Sequence, residues 1–224
     1  QSKLMPRAKR RQSDHTPNKS QDDSAESSST FAAALSSYED AVLSKQNDTL
    51  LKLDSWYRGD FPLALTARKP AFATKEELAD VVRWKLSRGK WRPRLQQLAE
   101  SNSADDVRKA TETAFAALPD VKAAITALGS LKGVGPATAT AVLSAFSENV
   151  PFMSDEAMIA VGMPVPLQYT VSSCLAYIDR LRLKMSQLRA EDKATWTERA
   201  FERALWAEAV LQAPPKAARK RSKR

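Results

Sequence analysis

Helix-start signals recur along this chain, and no strand signal answers them. Thr74-Lys-Glu-Glu77 and Thr195-Trp-Thr-Glu198 each set a hydroxyl three residues before a glutamate, the reciprocal arrangement that satisfies two backbone N–H groups at a helix N-terminus. Ser103-Ala-Asp-Asp106, Asp120 and Thr170 are simpler caps. Behind these signals apolar residues return at helical spacing: Leu78, Val81, Val82 and Leu86; Val107, Ala110, Ala114 and Leu118; Leu175, Ile178, Leu181 and Leu188; Phe201, Leu205 and Val210. Two earlier helices are expected over Phe31–Leu43 and Thr49–Tyr57, the second closed by Gly59. Short ones are expected from Asp120 to Leu128 and over about 156–161. Phe61-Pro62 and Lys69-Pro70 mark 60–70 as connecting chain, Gly89 stops the helix before it, and Gly162 to Pro166 reads as a loop. No stretch alternates apolar and polar residues, so the expected fold class is all-α.

The 224 residues, 43% of them hydrophobic, are enough for one sizeable core. Ser, Gln, Asp and Lys dominate residues 1–30, which are expected to be a disordered tail; 31–213 is the helical domain and 214–224 a basic tail. The net charge of +9 belongs mostly to the tails: 1–30 hold six Lys/Arg against four Asp/Glu, 214–224 six against none, and the body 23 against 22. Pro214-Pro215-Lys216 through Arg224 therefore reads as a nuclear-import signal or a nonspecific phosphate-binding arm, with a merely solvated end as the plain alternative. A single cysteine, Cys174, excludes an internal disulfide and a four-cysteine iron–sulfur cluster. The only histidine, His15, lies in a polar tail, so no side-chain metal site is expected. No run of about 18 apolar residues exists and no leader pattern is seen, so the expectation is a soluble intracellular monomer without a membrane partner.

Chemistry is most specific in Leu131-Lys132-Gly133-Val134-Gly135-Pro136-Ala137-Thr138-Ala139, which runs into a small-residue helix ending near Phe146. Proline after Gly135 suits the first helical position. The two glycines permit positive φ and remove Cβ, so backbone N–H groups at this helix start can be approached closely by an anion such as phosphate. An ordinary helical corner would use the same glycines. The longer string Leu-x-Gly-Val-Gly-x-x-Thr-Ala, however, resembles the hairpin of the helix-hairpin-helix DNA glycosylase superfamily, and Asp155 follows Gly135 by 20 residues, the spacing of its endonuclease III-like members. The resemblance covers about 131–155. It implies duplex DNA as partner, with contacts from Leu131, Lys132, Gly133, Val134, Gly135 and Thr138, and Asp155 as the catalytic carboxylate. It implies no cofactor beyond a monovalent cation held by hairpin backbone carbonyls. Members that also cut the strand carry a lysine directly before the Thr-Ala pair; this chain has Ala137, which leaves the monofunctional reaction without a lyase step.

A second stretch, Arg83 to Arg94, packs six basic residues and two tryptophans into twelve positions with no acid. Cations interleaved with aromatics suit a nucleic-acid surface, so Arg88, Lys90, Trp91 and Arg92 are expected to contact DNA, whereas Trp84, three residues after Val81, is expected in the core. Trp56 and Tyr57 either line a base pocket or pack at a helix end. Tyr169 either contacts a flipped base or packs beside a cap. Glu156 either acts on substrate or favours its helix N-terminus by charge. Asp155 likewise has two readings, a carboxylate beside a developing sugar cation or simply a helix cap. Only 42 residues separate Trp91 from Gly133, fewer than in the better-known glycosylases. Two functions follow: a monofunctional DNA glycosylase of base-excision repair, or a noncatalytic DNA-binding or scaffold protein that reuses the fold.

Overall fold

Caps and stops decide where the helices of this chain lie, and the computed structural model describes them over residues 31–191 and 196–213. The order is α1 (31–36), α2 (Tyr38–Ser44), α3 (Asp48–Arg58), α4 (Asp60–Ala67), α5 (Lys75–Arg88), α6 (Pro93–Glu100), α7 (Ala104–Ala117), α8 (Val121–Leu128), α9 (Pro136–Phe146), α10 (Asp155–Ala160), α11 (Val171–Glu191) and α12 (Glu198–Gln212). Among the described residues there is no strand, and none of their helices is long and apolar enough to cross a membrane. The fold is all-α.

Four elements differ from the sequence reading, each for a local reason. Ser37 breaks the expected helix over 31–43 into α1 and α2, beside Ser36, whose hydroxyl donates back to the Ala32 carbonyl. The expected connection at 60–70 is helical through Ala67: Pro62 sits in the first turn of α4, where a missing N–H costs nothing. Pro93 likewise opens α6, which the sequence reading did not anticipate. The start of α12 is capped by Thr197, whose hydroxyl accepts from the Ala200 N–H; Thr195 of the expected capping box lies outside the described residues. On α11 the inward face is Cys174, Tyr177, Ile178, Leu181 and Met185, with Leu175 only half-buried; the side chain of Leu188 lies outside the described residues. The Thr74–Glu77 box, the Ser103 and Asp120 caps and the stop at Gly89 are all present.

At the centre stands α9, buried from Ala137 through Ala145 without interruption. Its alanines, threonines, valine and serine are small enough for α4, α5, α7, α8 and α11 to close around it, which is why a helix lacking a polar face is stable here. A large aromatic group lies alongside. Trp84 of α5 stacks on Tyr57 at 3.7 Å between ring centres, and both Trp84 and Trp206 are fully buried. Asp54 sits within this group and is satisfied three ways, by the Tyr38 hydroxyl (2.8 Å), the Trp84 indole N–H (2.9 Å) and Arg58 Nε (2.8 Å). A small satellite core of Val82, Leu86 and Ala99, with Leu95, fastens α6 to α5. This packing carries the α5 end, the α8–α9 turn and α10 to one side of the molecule.

Candidate functional site

The turn that joins α8 to α9 is fixed from beneath by α6. Gly133 has φ +75°, and a Cβ there would lie 3.0 Å from the Ala99 nitrogen, the Leu95 carbonyl and the Leu98 side chain. Only glycine satisfies both conditions. Asn102 clamps the same turn, accepting from the Lys132 N–H and donating to the Lys132 carbonyl, each at 2.9 Å. Gly135 differs from the sequence expectation: its φ is −95°, an ordinary extended value, and a Cβ on it would meet nothing within 4 Å. Its bareness serves no contact inside the folded chain. The N–H groups of Gly133 and Gly135 make no hydrogen bond among the described residues and sit where α9 begins. Leu131, Val134 and Thr138, expected to contact DNA, are buried, and their N–H groups are bonded within the chain to the Leu128, Leu131 and Gly135 carbonyls; Lys132 is exposed. The Leu131 and Lys132 carbonyls already accept from the Val134 N–H and from Asn102.

Beside this turn opens a cavity of about 380 Å³. One wall is the end of α5 and the segment after it, with Lys85, Arg88, Lys90 and Arg92. A second is the start of α9, from Gly135 to Thr138. The third is Phe152 to Glu156 at the start of α10, and Tyr169 closes the side. Asp155 is exposed and borders the space; it is the first residue of α10, not its cap. The cap is Ser154, whose hydroxyl accepts from the Ala157 N–H and donates to Glu202 at 2.6 Å. Asp155 is thus released from the capping role, and only its Oδ1 is engaged, by the Tyr169 hydroxyl at 2.8 Å. Burial, with that hydrogen bond second, pushes the Tyr169 phenol up to about 12. Tyr169 remains 38% exposed, and Glu156 is half-buried at the cavity edge.

Arg88 corrects the sequence reading most sharply. It is 3% exposed, paired with Glu202 of α12 at 2.8 Å and set over the ring of Trp206 at 4.2 Å, with Trp84 and Phe152 also near. It backs the cavity wall and cannot reach a duplex. Burial opposes its charge, but Glu202, with Tyr38 and Asp54 beyond it, more than offsets this and holds the guanidinium above its usual range. Burial also pushes the Glu202 carboxyl up, against the pull of Arg88 and the Ser154 hydroxyl. Lys90, Trp91 and Arg92, in contrast, are exposed, and neither cation makes an ion pair among the described residues.

Trp56 and Tyr57 do not line the cavity. Tyr57 is buried in the aromatic group with its hydroxyl donating to the Ala141 carbonyl at 2.6 Å, and Trp56 stacks on Phe61. Cys174 is buried too, and burial pushes its thiol up to about 12, which makes it unreactive. Among the described residues no cluster of His, Cys, Asp and Glu is placed to hold a metal.

Lys85 was hidden within the basic stretch in the sequence. It faces the cavity, half-buried, and burial first, then Arg92, pull its ammonium down to about 8 while Asp155 opposes the shift. The available signal was positional: Lys85 and Arg88 follow Val81 at four and seven residues, on the stripe that faces inward. Comparison of the chain with models of known protein families, with curated proteins and with solved structures finds no match.

Proposed function

We propose that this chain is a DNA-binding protein of the base-excision type, a helix-hairpin-helix glycosylase in which α8, its turn and α9 grip duplex phosphate and Asp155 serves cleavage of the base–sugar bond. The observation that carries the reading is the open cavity bordered at once by Asp155 and by the start of α9. Its volume lies in the range of about 300–1,000 Å³ usual for small-ligand sites. Unpaired N–H groups at Gly133 and Gly135 supply a phosphate cradle, and the bareness of Gly135 leaves room for a backbone to approach. Lys90, Trp91 and Arg92 form the rim, where cations meet phosphate and an indole, 56% exposed, can stack on or wedge against bases.

In this reading a nucleotide leaves the stack and enters the cavity, at a cost of a few kcal/mol. The carboxylate of Asp155 stabilises the positive charge that develops on the sugar as the C1′–N bond lengthens, and its Oδ2, without a hydrogen-bond partner among the described residues, orients the attacking water. Ala137 brings no amine to the hairpin, so base release proceeds through Asp155 and water. The basic segment 214–224, outside the described residues, serves nuclear import and nonspecific DNA affinity.

A second reading, noncatalytic DNA binding on the same scaffold, is favoured by one contact: Tyr169 already occupies Oδ1 of Asp155. Incubation with a panel of damaged duplex oligonucleotides, read after alkali, separates the two. Base release is expected from the wild type, and Asp155→Asn should lower it by about 10²–10³ with duplex affinity retained. Tight binding with no alkali-labile product from any lesion moves the assignment to the noncatalytic reading.

A further inference from the structure

We infer that the cavity binds a free nucleoside 5′-monophosphate whose base carries an exocyclic amine, with the phosphate held by Lys85 and Arg92 and the amine by Glu156. The carrier is a separation of charge between walls. Lys85, on the inward stripe of α5, and Glu156, at the start of α10, are both half-buried and both border the space. Among the described residues neither makes a hydrogen bond or an ion pair, and Lys90 and Arg92 on the cationic side are unpaired as well. Arg88, the other cation of that wall, is already taken by Glu202, and Lys45, after α2, also borders the space. On the acidic side Asp155 gives one oxygen to Tyr169 and keeps the other. A half-buried charge is costly without a partner. Here opposite charges face one space and no ion pair bridges it, so a ligand with an anion at one end and donors at the other satisfies both walls at once.

What lies between the charged ends narrows the ligand. Tyr169 borders the cavity with its ring 38% exposed and its hydroxyl tied to Asp155, so the ring is held in place as a stacking face. A phosphate suits the cationic side, because a dianion can engage the Lys85 ammonium and the planar fork of Arg92 together. At neutral pH that ammonium, pulled down only to about 8, is still mostly charged. An ionised carboxylate only accepts hydrogen bonds, so Glu156 and the open oxygen of Asp155 need N–H donors. Adenine and cytosine present an exocyclic amine. Hypoxanthine and uracil present a carbonyl oxygen at the same position and leave the carboxylate unsatisfied.

Binding of the free nucleotide depends on these side chains alone. Its consequence rests on the DNA reading above: a nucleotide already in the cavity excludes one extruded from a duplex, so free nucleotide competes with DNA.

Isothermal titration calorimetry of the full chain at neutral pH tests the site with adenosine, cytidine, inosine and uridine monophosphates, with adenosine, and with inorganic phosphate. The adenosine and cytidine monophosphates should bind at least about tenfold more tightly than the inosine and uridine ones, which lack the amine for Glu156. Adenosine and phosphate, each missing one end, should bind more weakly than adenosine monophosphate. Glu156→Gln should erase the preference for an amine, whereas Lys85→Gln with Arg92→Gln should weaken every nucleotide and leave the preference in place. Amide chemical shifts of the wild type should move at Gly135 and Tyr169 on addition of adenosine monophosphate, which keeps the test valid if a variant fails to fold. No binding at millimolar nucleotide, equal affinity for amino and oxo bases, phosphate binding as tightly as the nucleotides, or shifts that spare the cavity each overturn the assignment. In a second arm, adenosine monophosphate is added to a complex with fluorescent duplex and the anisotropy is read. Displacement at the affinity found by calorimetry supports a shared cavity. Nucleotide binding without displacement keeps the site and takes the cavity out of the DNA interface. Failure to bind any duplex overturns the DNA reading and leaves the nucleotide site standing.

Discussion

Arg88 and Arg92 are separated by a single helical turn of sequence, one behind the cavity wall and the other on its rim. The inner position is enclosed by Trp84, Phe152 and Trp206 and neutralised by Glu202, which in turn receives the Ser154 hydroxyl and so fixes the start of α10 where Asp155 sits. The rim position is exposed and unpaired among the described residues, as is Lys90 beside the exposed ring of Trp91. Charge that is bonded inside the fold positions the site; charge left open to solvent is what remains for a polyanion. The two glycines of the α8–α9 turn divide in the same way, Gly133 demanded by the fold and Gly135 by nothing within it.

The buried pair is most sensitive to change at Glu202. Glu202→Ala leaves the Arg88 guanidinium buried without its partner and should cost about 3–5 kcal/mol in urea unfolding. The double replacement Arg88→Met with Glu202→Leu should recover most of that loss, since removing both charges removes the desolvation problem as well. Gly133→Ala should cost about 1–3 kcal/mol, from a positive φ and three neighbouring atoms at 3.0 Å. Gly135→Ala should leave stability within about 0.5 kcal/mol. Gly135→Asp should keep the fold yet weaken duplex binding by anisotropy; unchanged affinity would remove the turn from the interface.

The outer charges should act on affinity alone. Deleting 214–224 should flatten the plot of log affinity against log salt by about 0.9 for each phosphate that is no longer neutralised, and release the protein from the nucleus. Lys90→Ala with Arg92→Ala should do the same on a smaller scale while changing stability by less than about 0.5 kcal/mol. An unchanged slope in either case would mean that those cations are solvated bystanders.

How much of this was legible follows from the physics of each signal. Caps are local, so Thr74, Ser103 and Asp120 were found directly, and the stretch 131–139 announced a glycine turn before a buried helix. Pro62 misled, because a breaker inside a helix is acceptable in its first turn, and Pro93 opens α6 in the same way. The exchange of roles between Ser154 and Asp155 was invisible, since either residue makes a good cap and the choice depends on Glu202, 48 residues away. Arg88 and Lys85 were counted with Lys90 and Arg92 because composition ignores the face of the helix; periodicity would have separated them. Their different fates, one paired and one open to a cavity, depend on α12 and α10 and required the tertiary structure.

The proposed reaction requires extrusion of a nucleotide from duplex DNA into the cavity beside Asp155. Its most direct measurement is the fluorescence of a duplex with 2-aminopurine at a mismatched position, titrated with Asp155→Asn protein so that binding is observed without chemistry. Extrusion from the stack should raise the fluorescence as the anisotropy saturates, and with Gly135→Asp added both changes should shift to higher protein concentration. Saturable binding with no rise in fluorescence at any position along the duplex would rule out extrusion into the cavity.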